Sequence, residues 1–210
     1  MGYCIKRRDK RMAAALMQAY SAMNGWMNEE GIVNGMWTAI LNELFPQNTL
    51  NFLIGPEVHS ANNTNRADLS IYEIDTTAGL GNYTRKVVVV YEGKRSGSTD
   101  GWDDILTQCD NWTRRQPTNV FAVGECCWYI GAKGGHAKLW VCKRIGTGSH
   151  ITDFWTKSLI FNHGQPRNGA QNSSTDGYPF DLTNPNDCAA LDAALTYMRG
   201  NLRHRDTWGP

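Results

Sequence analysis

Residues 85–95 read Arg-Lys-Val-Val-Val-Val-Tyr-Glu-Gly-Lys-Arg, and this stretch decides the fold. Four consecutive valines favour a strand that is buried on both faces, because a half-exposed strand would alternate apolar and polar residues. The strand ends in Glu92-Gly93-Lys94, and its two charged side chains point to the same face since strand side chains alternate. Two charges at the end of a buried strand are costly unless they are paired, hydrated or bound to an ion. An ordinary strand end whose charges meet water is the plainer alternative.

A second strand is predicted at residues 66–74, just upstream. The residues between the two strands contain Gly79-Leu80-Gly81, which is a turn signal, so we expect a β-hairpin. If the turn is centred on this tripeptide, Asp68 lies opposite Glu92 with Cβ atoms ~4.5–5.5 Å apart. A bulge in either strand would shift that register by one residue.

Two facing carboxylates suit one Mg²⁺, because this ion usually takes one or two carboxylates and completes its octahedron with water and substrate phosphate. Lys94 would then lie beside the metal, where it could orient or deprotonate the attacking water.

Asp68, then Glu92-x-Lys94 at the end of a valine-rich strand, then an amphipathic helix, resembles the PD-(D/E)xK nuclease superfamily. The resemblance covers about residues 28–123, with Ala67 standing where the family often has Pro. It implies an α/β, restriction-endonuclease-like fold with an α-β-β-β-α-β core and a mixed central sheet flanked by helices. It also implies phosphodiester hydrolysis with Mg²⁺ or Mn²⁺ as cofactor. Asp68, Glu92 and the Gly93 carbonyl would hold the metal, and Lys94 would position or activate water.

The helix before the sheet in this family often carries a Glu that reaches the metal site. Glu29, Glu30 and Glu43 are candidates, and Glu30 is preferred because it stands one turn before Val33 and Trp37. The alternative is that acidic residues simply favour the N-terminus of a helix.

One branch of the family carries Gln-x-x-x-Tyr on the helix after Glu-x-Lys, and Gln108-Cys-Asp-Asn-Trp112 looks like that element with Trp in place of Tyr. Gln108 would then be a catalytic helper, and Trp112 would either stack on substrate or pack. A surface Gln and a core Trp are the alternative. Arg95, Arg114 and Arg115 are candidate phosphate contacts.

The net charge of +1 gives no global signal for polyanion binding, so contacts to nucleic acid would come from local basic patches. The resemblance implies a nucleic-acid substrate, with DNA favoured over RNA, and it leaves a homodimer open. No apolar run approaches a membrane span, so no membrane partner is expected. The N-terminus lacks the apolar segment of a secretory signal, and the six cysteines form no C-x-x-C pair. We therefore predict an intracellular protein, cytoplasmic or nuclear, with reduced thiols.

The length suits one domain, and we predict a single nuclease-like domain over residues 1–210. Its parts are an N-terminal helical extension (1–27), a core (28–144) and an irregular segment with a C-terminal helix (145–210). Apolar spacing predicts helices at residues 12–23, 28–45, 102–115 and 186–199, with Asn28 as the N-cap of the second. Strands are predicted at residues 51–58, 66–74, 85–95 and 119–124, the last beside the valine-rich strand.

An extra hairpin is predicted at residues 126–132 and 136–144, on either side of Lys133-Gly-Gly135. Its basic residues are expected to form a rim with Trp140 for nucleic-acid contact, unless they are a solvated polar face. They are Lys133, Lys138, Lys143 and Arg144. Residues 145–185 are expected to be irregular, with a long loop at 162–181.

Two other functions remain open from the sequence. The chain could keep the nuclease-like scaffold and act as a catalytically inactive binding or effector protein that recognises nucleic acid or a protein partner. It could also be a structural domain in which Glu92 and Lys94 form a salt bridge at a sheet edge. An exposed pair of that kind contributes little, and it would not explain an Asp at position 68.

Overall fold

A computed structural model gives the fold and describes residues 19, 26–47, 51–59, 66–75, 83–162, 165–171 and 177–202. Most of the predicted helix at 12–23, the loop at 60–65 and the predicted hairpin turn Gly79-Leu80-Gly81 lie outside the described residues.

The described part of the chain contains both helices and strands. The helices are α1 (Glu30–Leu44), α2 (Trp102–Arg114) and α3 (Pro185–Gly200), and two short 3₁₀ helices span Trp26–Asn28 and Ile151–Asp153. The strands are β1 (Phe52–His59), β2 (Arg66–Asp75), β3 (Thr84–Lys94), β4 (Cys126–Lys133), β5 (His136–Arg144), β6 (Phe154–Asn162), β7 (Gln165–Gln171) and β8 (Phe180–Asp181).

All eight strands belong to one mixed sheet. Seven of them lie in chain order from β1 to β7, and β8 pairs with the start of β5. Within this sheet only β3 and β4 are parallel, and α2 is the crossover that joins them. The α/β class is thus confirmed, and the elements follow the predicted order α-β-β-β-α-β up to β4.

The helices cover both faces of the sheet. Buried side chains of α1 and α3 pack on one face in a cluster that includes Trp37, Tyr91 and Leu191. Side chains of α2 pack on the other face, where Trp112 and Tyr129 belong to a second cluster. Central strands are consequently covered on both sides, which explains the unbroken valine run of β3.

The register of β2 on β3 is the predicted one near the candidate site. Leu69 pairs with Tyr91 and Ile71 pairs with Val89, as a turn centred on residues 79–81 requires. A bulge between Ile71 and Tyr72 then shifts the pairing by one residue towards the turn. The shift lies on the far side of Leu69 from Asp68, so it leaves the site in register.

The predicted strand at residues 119–124 is wrong. Val120 and Phe121 lie in a turn, where both backbone N–H groups donate to the Pro117 carbonyl at 2.9 and 3.0 Å. Both side chains are buried under α2, so this short apolar run fills the core from a loop. The parallel neighbour of β3 is β4, which was expected to be the first arm of an extra hairpin.

The prediction of an irregular segment at 145–185 is also wrong, because β6 and β7 form an antiparallel hairpin there. The many polar and small residues of this segment obscure the alternation that predicts a strand. Strand β6 nevertheless forms because it pairs with the edge of the buried strand β5.

Helix α1 begins at Glu30, so Asn28 is not its N-cap; instead Asn28 Oδ1 accepts a hydrogen bond from the Ser96 hydroxyl. Among the described residues no helix combines the length and apolar character needed to cross a membrane.

Candidate active site

The carboxyl end of β3 places an ion pair inside the protein. Lys94 Nζ donates to Glu92 Oε1 at 2.6 Å, because residues two apart on a strand share a face. Only 4% of the Glu92 side chain and 11% of the Lys94 side chain are exposed. The alternative of a strand end whose charges meet water is therefore excluded.

Asp68 joins this pair from the neighbouring strand. Gly93 N donates to Asp68 Oδ2 at 2.8 Å, although Leu69–Tyr91 is the last backbone pair of the two strands at this end. The Asp68 carboxylate thus takes the place of a ladder carbonyl and satisfies the next N–H of β3. The predicted convergence of Asp68, Glu92 and Lys94 is present in the structure.

The surroundings of Glu92 disfavour its negative charge. Burial, followed by the nearby Asp68 carboxylate, raises the pKa of Glu92 to about 7, even though Lys94 lowers it. Burial alone would lower the pKa of Lys94, but Glu92, Glu30 and Asp68 together raise it. The site therefore holds a buried carboxylate, Glu92, and a half-buried one, Asp68, with one ammonium, which leaves this trio one positive charge short of balance.

Glu30 completes the cluster from α1. It is the first residue of that helix, and its Oε1 lies 4.0 Å from Lys94 Nζ with about half of the side chain exposed. The preference for Glu30 over Glu29 and Glu43 agrees with this position. Glu43 lies near the other end of α1, more than three helical turns away.

Two residues at the site were not foreseen. The Tyr91 hydroxyl donates to Asn34 Oδ1 at 3.0 Å on the α1 side of β3, next to Gly93. Neither residue was assigned a role from the sequence. The sequence did contain a sign of this contact, which is the Gly between two charged residues. A Gly inside a strand often marks a place where another group packs closely against the backbone.

Two residues of α2, Gln108 and Trp112, were assigned to the site through the family resemblance, and a contact of Gln108 with a phosphate stays a prediction. Gln108 is half-buried on α2, and within the described part of the chain its amide is not hydrogen bonded to Asp68, Glu92 or Lys94. Trp112 is fully buried and packs against Tyr72 with ring centroids 6.5 Å apart. Stacking of Trp112 on substrate is therefore excluded, and the core alternative is correct.

The three arginines separate into two places. Arg95 is exposed and directly follows Lys94. Arg114 and Arg115 lie at the C-terminal end of α2, roughly 18 Å along the helix from Trp102 at 1.5 Å per residue. Arg114 donates instead to the Asp110 carbonyl at 3.2 Å and to Asn111 Oδ1 at 3.0 Å. Helix α2 thus places Arg114 and Arg115 towards the start of β3, and their proposed contact with a phosphate stays a prediction.

The predicted basic rim on β5 is wrong for three of its members. Lys138, Trp140 and Arg144 are buried, because β5 is a central strand covered on both faces. Arg144 donates to five backbone carbonyls, which are those of Gln116, Phe121, Gly146, Thr147 and Gly148. Its guanidinium fixes the loop after β5, which is a structural role.

The residues present fit a divalent cation that keeps water or substrate among its ligands. In an extended strand the N–H and C=O of one residue point the same way, so the Gly93 carbonyl is directed to the Asp68 side. Asp68, Glu92 and this carbonyl supply hard oxygen donors, as Mg²⁺ and Mn²⁺ prefer. Within the described residues no group of three or more His, Cys, Asp or Glu side chains is arranged to hold a metal ion. Two carboxylates would thus need help from backbone, water and substrate oxygens.

Comparison of the chain with protein-family models, with curated proteins and with solved structures finds no match. The fold and site therefore define a class in structural terms only. That class is an α/β protein with an Asp–Glu–Lys cluster, in which the Glu–Lys pair is buried, where a central strand of a mixed sheet ends.

Proposed function

We propose that this chain has the restriction-endonuclease-like fold and hydrolyses phosphodiester bonds in nucleic acid with Mg²⁺ or Mn²⁺. The observation that carries the proposal is the meeting of Asp68, Glu92 and Lys94 in one cluster, of which the Glu92–Lys94 pair is buried. Buried charges of this kind are costly as structure, and replacing such a pair by apolar residues is often neutral or stabilising. Because such a cluster lowers stability, its presence favours a role in catalysis or binding.

The cation would be held by Asp68, Glu92 and the Gly93 carbonyl. When bound it would supply positive charge to offset the negative charge that develops on the phosphate, which preorganised electrostatics stabilises best. The raised pKa of Glu92 supports this assignment, since burial and the nearby Asp68 carboxylate raise it although Lys94 is paired with Glu92, so one ammonium does not balance the two carboxylates. Their closeness is favourable once a divalent cation is present.

Lys94 would orient the attacking water and stabilise charge rather than deprotonate that water. The pKa of Lys94 is raised by Glu92, Glu30 and Asp68, so the ammonium form is favoured at neutral pH. An ammonium donates hydrogen bonds and accepts none. Glu30 lies 4.0 Å from this ammonium, and we propose that it helps to fix its direction.

The substrate is proposed to be DNA, approaching from the side where Glu30 and Arg95 are exposed. Arg95 would contact a phosphate next to the one that reacts, since it directly follows Lys94 and faces solvent. The described residues offer no broad basic surface around the site, so the affinity for DNA would depend mainly on the cation and on local contacts.

The direct test is hydrolysis of labelled single- and double-stranded DNA and RNA with Mg²⁺, with Mn²⁺ and with a chelator. We expect metal-dependent cleavage by the wild-type protein and loss of at least about 10²-fold in Asp68→Asn. Asp68→Asn keeps an oxygen that accepts the Gly93 N–H, so it changes charge with little change of fold.

The matched control is Glu43→Gln, the same carboxylate-to-amide change at an exposed position of α1. It should cleave at the wild-type rate. Equal cleavage by Asp68→Asn and Glu43→Gln would refute the proposed mechanism. Nucleic-acid binding with no cleavage by the wild-type protein, and no heat of Mn²⁺ binding, would favour the inactive binding protein instead.

A further inference from the structure

The hydrogen bond between Tyr91 and Asn34 occupies the space beside Gly93. Tyr91 is fully buried, and its hydroxyl donates to Asn34 Oδ1 at 3.0 Å. A Cβ atom at Gly93 would overlap both of these oxygen atoms. The absence of a side chain at position 93 is thus what lets the bond lie directly against the backbone of β3.

The same backbone segment carries the contact to Asp68. Gly93 N donates to Asp68 Oδ2 at 2.8 Å, so this peptide is bounded by the Tyr91–Asn34 bond on the α1 side and by the Asp68 carboxylate on the β2 side. Movement of Gly93 would displace an N–H that orients Asp68. It would also displace the carbonyl between Glu92 and Lys94.

The bond also fixes α1 on the strand. Asn34 lies four residues after Glu30, so both face β3 from neighbouring turns of one helix. The Trp37 ring packs on the Tyr91 ring with centroids 5.7 Å apart, which adds a third contact along the same helix. Glu30 reaches to 4.0 Å from Lys94 Nζ at the end of this row.

We infer that Asn34 and Tyr91 are positioning residues that hold Gly93 and α1 so that Asp68, Glu92 and Glu30 face one point. The inference rests on the proposed function in so far as that point receives a divalent cation. Groups that orient metal ligands without touching the metal typically change its affinity about 10–100-fold when they are removed. Burial raises the pKa of Tyr91, as do Asp68, Glu92 and Glu30, so its hydroxyl keeps the proton that it donates.

The test compares Tyr91→Phe with Tyr129→Phe. Both tyrosines are fully buried, on neighbouring strands, and each variant loses one hydroxyl. Tyr129 belongs to the cluster on the α2 face, away from Asn34. Three quantities are measured for each protein: the Mn²⁺ dissociation constant by calorimetry, kcat and KM for DNA cleavage, and the exchange rate of the Gly93 amide proton by NMR.

We expect Tyr91→Phe to bind Mn²⁺ about tenfold more weakly and to show a lower kcat with KM for DNA changed less than about twofold. Its Gly93 amide should exchange faster than in the wild-type protein, since the neighbouring bond no longer restrains it. Tyr129→Phe should match the wild-type protein in all three. Adding Asn34→Ala to Tyr91→Phe should weaken Mn²⁺ binding no further, because one bond is removed in either case.

Equal Mn²⁺ affinity in Tyr91→Phe and Tyr129→Phe would overturn the inference and leave the proposed function standing. Unchanged exchange of the Gly93 amide in Tyr91→Phe would overturn it as well. A wild-type protein that neither binds Mn²⁺ nor cleaves DNA would remove the proposed function, and with it the claim that this pair serves a cation.

Discussion

The two ends of β3 each carry a lysine paired with a glutamate, and the two pairs have nearly the same length. Lys94 Nζ lies 2.6 Å from Glu92 Oε1, and Lys86 Nζ lies 2.9 Å from Glu125 Oε1. Lys86 and Glu125 are 23% and 24% exposed, whereas the Lys94 pair is nearly buried. The N–O distance therefore does not distinguish the two ion pairs, whereas the burial of their side chains does.

A second carboxylate widens the difference between the ends. Asp68 stands beside Glu92 and contributes to its raised pKa, while Glu125 uses its other oxygen to accept the Ala122 N–H at 2.7 Å. The Lys86 pair thus closes a loop onto the sheet, as a partly exposed pair worth about 0–1 kcal/mol can do. At the Lys94 end, the burial of the pair and the additional Asp68 carboxylate go beyond what is needed to hold the end of a strand.

The largest expected difference between the ends is in catalysis. Lys94→Met should lower kcat for DNA cleavage by about 10³-fold, because a positioned cationic group is lost from the reacting centre. Lys86→Met, the same change at the other end of the strand, should alter kcat less than twofold. Single-turnover cleavage at saturating Mg²⁺ measures both, and equal rates would mean that the two ends do not differ in function.

The next difference is in the pH dependence of stability. At pH values below 4.5 the Glu92 carboxyl keeps its proton in both the folded and the unfolded chain. As pH rises from 4.5 to about 7, the unfolded chain releases that proton while the folded protein retains it, so folding becomes less favourable. The loss amounts to about 3 kcal/mol and is complete above pH 7.

Urea unfolding of the wild-type protein and Glu92→Gln across this pH range checks the prediction. The stability of the wild-type protein relative to the variant should fall by about 3 kcal/mol between pH 4.5 and 8. A flat difference for Glu92→Gln would show that this carboxyl is not held in a buried, negative environment.

Crowding at the Lys94 end predicts a smaller effect. Gly93→Ala places a Cβ atom where Asn34 Oδ1 and the Tyr91 hydroxyl lie, and overpacking of this kind costs about 1–3 kcal/mol. Gly97→Ala, in the loop just after the site, has only Arg95 Nη1 within 4 Å and should cost less than about 1 kcal/mol. Thermal unfolding of the two variants is the measurement. Equal melting temperatures would contradict the close packing at Gly93.

The smallest effect concerns salt. A double-mutant cycle of Lys86→Ala and Glu125→Ala should give a coupling of about 0.2–1 kcal/mol that shrinks towards zero in 1 M NaCl, because a partly exposed pair is screened. The coupling of Lys94 and Glu92 should change less with salt, since water and ions reach it poorly. Equal salt sensitivity of the two couplings would place both pairs in the same environment.

Sequence alone was enough for the part of the fold that depends on local pattern. The valine run, the alternation at residues 66–74 and a central turn together gave the register of Leu69 on Tyr91, and hence the approach of Asp68 to Glu92. Glu30 was expected from the family resemblance, and its position on the helix selected it over Glu29 and Glu43. These elements are neighbours in the chain, so their geometry follows from rules of a few residues.

Assignments that depend on distant packing were not foreseen. Val120 and Phe121 resemble a strand, yet Pro117 starts a turn there and α2 covers them. Lys138 and Arg144 resemble a solvated face, yet β5 acquires neighbours on both sides from β4 and β6. Such burial is decided by segments far away in the sequence, and charge on a side chain does not reveal it. The Tyr91–Asn34 bond was missed for the same reason, since it spans two elements.

The single parallel junction of the sheet has a consequence for the order in which the protein is made. Glu30, Asp68, Glu92 and Lys94 all precede α2 in the chain, and the strand that flanks them, β4, follows it. At the usual pace of translation the ribosome needs roughly 2–8 s to go from Lys94 to Gly134, whose N–H closes on the Lys94 carbonyl. During this interval the four residues of the cluster have been synthesised, but the whole of β4 has not. The site can therefore be completed only after β4 has been synthesised.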